Sequence, residues 1–285
     1  MTAPDAKPLA GRTMIMSGGS RGIGLAIALR VARDGANITL IAKTETPPNP
    51  KLPGTIYTAA AEIEQAGGRV LPFVGDVRDD DAVAEAVRRT VEEFGGIDIV
   101  VNNASAIDLS PTDRIAMKKY DLMQDINCRG GTFLLSKLSI PSLRRSAGAG
   151  RNPHILTLSP PLNLSPKWAG GALAYTIAKY GMSLTTLGLA EELKGDGIAV
   201  NSLWPRTTIA TAAVRNLLGG DRMVNSSRTP EIYADAAYLV LTSPSAEATG
   251  GNFYIDDEVL AAAGITDLDR YRAGDGELQL DLFLD

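Results

Sequence analysis

Tyr175 and Lys179 stand four residues apart in Tyr175-Thr176-Ile177-Ala178-Lys179. On a helix that spacing puts one side chain above the other on the same face. A free phenol ionises at a pKa of about 10, too high for a general base near neutrality. An ammonium held within roughly 4–6 Å favours the phenolate and lowers that value. Reaching 7 takes about 3 units, roughly 4 kcal/mol, within reach of one close cation and a bound cofactor. The expectation is therefore a Tyr175 of lowered pKa, working as acid/base beside Lys179. Taken alone the pair also reads as two neighbours on a surface helix, so the rest of the chain has to decide.

Other chemistries find few residues. His154 is the sole histidine and falls at the start of an apolar run. No Ser–His–Asp triad and no histidine-based metal site can be assembled around it, so no metal is expected. Glu191-Glu192 are adjacent on a helical stretch and read as a solvated face. One cysteine, Cys128, cannot form an internal disulfide and suits a reducing cytoplasm. A net charge of −5, with no more than two basic residues in a row, argues against nucleic acid as a partner. No run of eighteen apolar residues is present, so no membrane span is expected.

The elements that must position the pair can be read from periodicity. Apolar runs at Thr13–Ser17, Asn37–Ala42, 70–74, 97–101, 154–159, 197–203 and 252–255 read as strands. Helical patterns lie between them, clearest at 79–94, where Val83, Val87 and Val91 form one apolar stripe. Two further helices are expected near 118–126 and 131–145 with Asn127 at their junction. The Tyr175 helix should run to about 193, and a last helix covers 231–241. Strand and helix alternate at the spacing of parallel βαβ units. The fold class is thus α/β: a single-domain, Rossmann-type doubly wound sheet of about seven parallel strands flanked by helices. With 285 residues, 45% hydrophobic, the chain reads as one domain over 1–285, with 256–285 as a C-terminal tail.

Gly18-Gly19-Ser20-Arg21-Gly22-Ile23-Gly24 follows the first strand and opens a helix. Glycines 18, 22 and 24 let backbone approach a pyrophosphate, and the helix N-terminus offers free N–H groups to it. At the end of the second strand, an acidic residue would bond a ribose 2′-OH, whereas a base accommodates a 2′-phosphate. Lys43 stands there, and Arg21 lies in the glycine loop. Together they favour NADP(H), with NAD(H) as the alternative. The segment 44–54, with four prolines, reads as a stiff loop beside that pocket.

With those pieces in place, the chain resembles the short-chain dehydrogenase/reductase family over residues 9–255. The resemblance implies cofactor contacts from Gly18, Ser20, Arg21, Gly22, Ile23 and Gly24. It also implies an adenine contact at Asp76 and Val77, and a sheet-stabilising motif at Asn102-Asn103-Ala104 whose Asn103 and Ala104 border the cofactor. Asn127 would be a proton-relay residue, Tyr175 and Lys179 the catalytic pair, and Pro205 and Thr208 the nicotinamide end. Segments such as Ile41-Ala42-Lys43-Thr44 and Leu158-Ser159-Pro160-Pro161-Leu162-Asn163-Leu164 are similar to a hydroxysteroid dehydrogenase-like branch of that family. Some members of the branch carry a sterol-carrier-like domain, for which this length is too short.

Two departures stand out. The family places a catalytic Ser about a dozen residues before the Tyr, but Ser159 lies 16 before Tyr175 and is followed by Pro160. Either Ser159 reaches the substrate oxygen or another hydroxyl replaces it, with Ser165 a second candidate. Arg206 stands where the family has Gly, and either meets an anionic ligand or is a solvated loop residue. The implied activity is hydride transfer between NADP(H) or NAD(H) and an alcohol/carbonyl pair on an apolar, lipid-like or terpenoid molecule. Tyr175 moves the proton, Lys179 tunes it, Ser159 orients the substrate oxygen and Asn127 holds a relay water. The 206–230 segment, with Leu217, Leu218 and Met223, is the expected substrate lid. A nucleotide-bound binding protein without turnover is the competing reading. Leu278, Leu280, Leu282 and Leu284 alternate as in a strand, and the tail is expected to dock on a neighbouring subunit of a homodimer or homotetramer.

Overall fold

Thr13–Ser17 forms β1, buried along its whole length, as an inner strand covered by helices on both faces must be. Met14 and Met16 point into one core with Ile38, Leu40, Ile99, Val101 and Leu156. Ile15 points into the other with Ile41, Val100, Ile155 and Val200. That alternation is the two-residue period of a strand made visible. The computed structural model describes residues 7–47, 54–248 and 250–285, apart from the side chains of 217 and 218. Most of the proline-rich loop, and the expected lid leucines Leu217 and Leu218, thus lie outside the described residues.

The remaining strands are β2 (Asn37–Ala42), β3 (Arg69–Val74), β4 (Ile99–Asn102), β5 (His154–Thr157), β6 (Ala199–Trp204) and β7 (Phe253–Ile255). All pair in parallel in the order β3-β2-β1-β4-β5-β6-β7. The expected seven-stranded doubly wound sheet is what the chain forms. Its order reverses between β1 and β4, so the crevice at their carboxyl ends is the place for a ligand.

The helices are α1 (Gly22–Ala32), α2 (Ile56–Gln65), α3 (Asp80–Phe94), α4 (Met117–Met123), α5 (Leu135–Gly148), α6 (Pro166–Gly171), α7 (Leu173–Glu192), α8 (Gly220–Asn225), α9 (Pro230–Thr242), α10 (Ser245–Ala248) and α11 (Asp256–Ala262). The α3 N-terminus is capped by Asp79, whose carboxylate accepts from the N–H groups of Asp81 and Ala82. Ile27 and Val31 of α1 share the first core with Ile232 and Tyr233 of α9. Val83 of α3, Leu143 of α5 and Leu189 of α7 share the second.

Where two helices meeting at Asn127 were expected, α4 and α5 are joined through an eleven-residue π-helical stretch, Gln124–Leu134. The cause is contact with the neighbouring loop. A Cβ on Gly130 would lie 1.9 Å from the Val77 carbonyl oxygen, so the helix comes against that backbone with nothing between. Widened helical turns of this kind occur mostly at functional sites. This one carries Asn127 to the carboxyl edge of the sheet.

The C-terminal tail is a second difference. Residues 278–284 alternate as a strand would, yet they make a single antiparallel bridge, Leu280 with Thr207. They pack on their own chain, closing a third apolar cluster with Tyr175, Ala178 and Trp204. The tail therefore covers the carboxyl edge of its own sheet.

Candidate active site

The β1–α1 turn fits the phosphates of a dinucleotide. Gly18 adopts φ of 80°, and a Cβ there would come within 2.5 Å of Asn103 Nδ2. Only glycine meets both conditions. Arg21 precedes α1 without a capping side chain, and the first turn contains no acidic residue. The first N–H groups of an eleven-residue helix thus lack an acceptor from a capping side chain, as an anion site requires. Ser20 is buried in this turn; Ile23 and Gly24 lead into the helix, with Gly24 against Asn103.

Ser17 fastens this turn to β4. Its hydroxyl donates to the Gly131 carbonyl (2.8 Å) and accepts from the N–H groups of Asn103 (3.1 Å) and Ala104 (3.2 Å). Asn103 Nδ2 donates to the Ser17 carbonyl at 3.0 Å. Asn102 Nδ2 bridges to Ser136 and Thr157 at 2.9 and 3.1 Å, tying β4 to its neighbours. Asn127 is fully buried and pairs with the backbone of Ala106, accepting from its N–H (2.7 Å) and donating to its carbonyl (3.0 Å).

At the adenosine end, Lys43 Nζ lies 3.3 Å from Asp76 Oδ2, while Arg78 makes two side-chain bonds to the same carboxylate at 3.0 and 2.7 Å. The Arg78 bonds, with help from Lys43, hold the Asp76 carboxyl well below its ordinary range. Arg21 donates to the Gly54 carbonyl at 3.1 Å. Val77 is buried against the π-helical stretch. Three cations, Lys43, Arg78 and Arg21, thus stand near the ends of β2 and β3 and the glycine turn. Arg78 is the one the sequence reading did not include.

Tyr175 and Lys179 lie one turn apart on α7, both buried. Lys179 donates to the Leu158 carbonyl at 2.9 Å and sits over the Trp204 ring, 5.2 Å from its centre. Burial lowers the Lys179 ammonium to about 7, with Asp281 opposing. The Tyr175 phenol moves upward, against the expected lowering. Burial is the main cause, Asp281 adds to it, and a hydrogen bond from the Ser105 hydroxyl works the other way. Desolvation outweighs the nearby cation because removing a phenolate from water is costly.

Ser159 does not join this pair. Its Oγ is fully buried and bonds Ser202 Oγ at 2.7 Å, which in turn bonds Thr186 at 2.8 Å. The hydroxyl is aimed into the sheet–helix interface, because Pro160 and Pro161 carry the chain away immediately after β5. Ser165 precedes α6 and lines a surface groove with Gln124, Cys128 and Tyr180. The hydroxyl bonded to Tyr175 is that of Ser105, whose only sequence signal is its place directly after Asn102-Asn103-Ala104.

Arg206 meets neither an anionic ligand nor open solvent. Its guanidinium pairs with Asp257 at 3.2 Å and with Glu258, both in the first turn of α11. Pro205 is buried at the exit of β6, and Thr208 is held from both sides. Its N–H donates to the Gln279 carbonyl (2.9 Å) and its hydroxyl bonds Ser227 (2.7 Å). The Asp281 N–H donates to the Arg206 carbonyl at 3.1 Å, and Trp204 Nε1 to the Leu282 carbonyl at 2.9 Å. Phe283 stacks near Tyr175, with ring centres 6.2 Å apart, and its ring also faces Trp168, Tyr180 and Trp204. Its φ of 72° lies in the left-handed region, a strain on the order of 1–3 kcal/mol that surrounding packing has to hold. The cover over Tyr175 is thus tail residues 279–284, where the sequence had pointed to 206–230.

Comparison with known proteins agrees with this geometry. The short chain dehydrogenase family model matches residues 12–219. Hydroxysteroid dehydrogenase-like protein 2 of Xenopus tropicalis is 56% identical over 283 residues, covering 99% of this chain and 66% of that protein. The Homo sapiens protein of the same name is 52% identical over 283 residues, with coverage of 99% and 65%. The chain therefore spans about two thirds of the length of these curated relatives. A solved short-chain dehydrogenase from Mycobacterium thermoresistibile superposes with a TM-score of 0.89 at 59% identity, covering 97% of this chain and 96% of the other.

Proposed function

The chain belongs to the short-chain dehydrogenase/reductase family, and we propose that it is an NADP(H)-favouring oxidoreductase interconverting an alcohol and a carbonyl on an apolar small molecule. The observation that carries this reading is the placement of Tyr175 and Lys179 on one face of α7, at the carboxyl edge of the sheet and inside an apolar wall. A nicotinamide dinucleotide, when bound, supplies or takes the hydride. The glycine turn and the α1 N-terminus would hold its phosphates, and Lys43, Arg78 and Arg21 favour a 2′-phosphate on its ribose.

Tyr175 Oη exchanges a proton with the substrate oxygen. Its upward pKa keeps the phenol protonated at neutral pH, the form that donates during carbonyl reduction. Lys179, one turn along, opposes negative charge on that oxygen electrostatically. Asn127 pins the 104–106 turn that borders the phenol. Ile107, Leu109, Trp168 and Leu282 pack on the same cluster as Tyr175, an environment suited to lipid-like or terpenoid substrates. The half-buried free thiol of Cys128 fits a cytoplasmic setting.

Tyr175→Phe tests the reading. With NADPH and a panel of apolar aldehydes and ketones, the variant should lose about 100-fold or more in kcat while still binding NADPH. Full turnover by the variant would defeat Tyr175 as the acid/base. Tight NADPH binding by the wild type with no turnover on any compound would leave a nucleotide-bound binding protein.

A homo-oligomer belongs to the same reading. Leu173, Ile177, Leu184 and Leu187 of α7 are exposed, as is Phe133 of the π-helical stretch packed alongside. Their spacing places the α7 residues on one face, and an apolar face of this kind marks an interaction surface. Light scattering should give a dimer or tetramer for the wild type and a monomer for Ile177→Glu. A monomeric wild type would remove the oligomer from the reading.

A further inference from the structure

The turn after β4 is held more firmly than a loop of its exposure needs. Ala104 is fixed through its N–H to Ser17 Oγ, and Ala106 through both its backbone groups to the Asn127 side chain. Ser105 lies between these two anchors. Its own backbone is bracketed on each side by bonds of 2.7 to 3.2 Å, so its Cα–Cβ direction has little freedom. The side chain is exposed toward the carboxyl-edge crevice, and its hydroxyl bonds the buried Tyr175 phenol. Such an arrangement presents one polar group at the catalytic oxygen from rigid support.

Ser159 is turned the other way. Its Oγ belongs to a closed hydroxyl chain with Ser202 and Thr186, and reaching Tyr175 would mean breaking that chain and passing Pro160. Ser165 sits in the groove outside α7. We infer that Ser105, fixed between its Ser17 and Asn127 anchors, supplies the hydroxyl that together with Tyr175 holds the reacting oxygen of the substrate.

The chemistry is simple. A carbonyl or alkoxide oxygen has lone pairs for two donors. Tyr175 Oη occupies one and transfers its proton, while Ser105 Oγ–H occupies the other and keeps its own. When the phenol has given up its proton, the same hydroxyl donates to the phenolate and disperses its charge. Asn127 then has a concrete task in this chain: its amide fixes Ala106, and through it the Ser105 hydroxyl. The inference rests on the proposed reading of Tyr175 as acid/base, so its test uses one readout that needs turnover and one that does not.

The first readout is steady-state reduction of decanal by NADPH. Ser105→Ala should lower kcat by about 10- to 100-fold, the range for losing a hydrogen bond to a charged oxygen. The KM for NADPH should not change, and Ser105→Thr should recover to within about threefold of wild type. Ser159→Ala should stay within about threefold. The second readout is the ultraviolet difference titration of the Tyr175 phenolate with NADP bound, taken as wild type minus Tyr175→Phe. In the Ser105→Ala background the midpoint should rise by about one unit, since a donor to the phenolate is lost. In the Ser159→Ala background it should not move.

An unmoved midpoint in Ser105→Ala, or a kcat loss confined to Ser159→Ala, overturns the inference. Retained turnover in Tyr175→Phe defeats the acid/base reading instead. The titration of Ser105→Ala still decides the Ser105–Tyr175 contact when decanal is not turned over.

Discussion

Strands β4 and β5 bury ionisable groups at their amino ends, and the helices and tail bury others at the carboxyl ends of the same sheet. At the amino edge Asp98 accepts from the Thr13 N–H (2.8 Å), the Ser146 hydroxyl (2.6 Å) and two nitrogens of Arg151 (both 2.8 Å). His154 Nε2 lies 3.1 Å from the Ser243 carbonyl and donates to it. At the carboxyl edge the pattern is different. Asp256 Oδ2, Thr207 Oγ1, and Nε and Nη1 of Arg228 are buried without a hydrogen-bond partner. Burial raises the carboxyl of Asp256 to about 6 and that of Asp281 to about 7. Buried charge is thus common to both edges and does not distinguish them. Incomplete pairing does, as a site that must later engage other groups requires.

The largest effect that would sharpen this contrast lies at the amino edge. Burial lowers His154 from 6.5 to about 4. Its folded pKa lies below its unfolded one, so the unfolded chain binds more protons between those values. Stability from this group is complete above pH 6.5 and is lost as pH falls toward 4. A shift of that size corresponds to roughly 3 kcal/mol. Urea unfolding of wild type should weaken by about that amount across the window, and His154→Gln should show a flatter profile. Activity per folded molecule should be unchanged in the variant at pH 7. A parallel pH profile in wild type and variant would mean the amino edge tolerates a charged His154, and the contrast between the edges would weaken.

The sequence was legible where a local pattern settles the answer. The strands follow from alternating apolar runs whose residues enter two cores, and the glycine turn follows from positions that admit no side chain. Asp79, just ahead of α3, was readable as a cap. The carboxyl edge was less legible because contacts far apart in the chain decide it. Gln124–Leu134 has an ordinary helical composition, and only the approach of Gly130 to Val77 forces it wider. The tail does alternate, but its partner is the 206–208 backbone of the same chain, 73 residues before Leu280 at the Thr207 bridge. Pro160 did carry a usable signal about Ser159. A proline directly after β5 diverts the chain, and the displaced hydroxyl joins Ser202. The expected fall in the Tyr175 pKa failed for another reason, because a spacing of four residues fixes proximity to Lys179 but says nothing about burial.

A smaller effect separates two ion pairs of the same chemistry. At the amino edge, Arg151 grips Asp98 with two nitrogens around a carboxylate that is 4% exposed. At the carboxyl edge, Lys43 makes one 3.3 Å contact to Asp76 and its side chain is 61% exposed. Asp76 keeps two bonds to the Arg78 side chain if Lys43 turns away. Lys43 can therefore swing toward a 2′-phosphate at little cost, whereas Arg151 cannot leave Asp98 without stranding a buried charge. An exposed cation on a phosphate is screened by salt, so the expected gain is modest, about tenfold. In Lys43→Ala the ratio of NADPH to NADH affinity, measured by fluorescence titration, should fall about tenfold through weaker NADPH binding alone. The fall should shrink as salt rises. An unchanged ratio would shift the discrimination to Arg78 and Arg21. Equal affinity for the two cofactors in the wild type would mean that the loosely paired cation is a solvated residue with no part in selecting the cofactor.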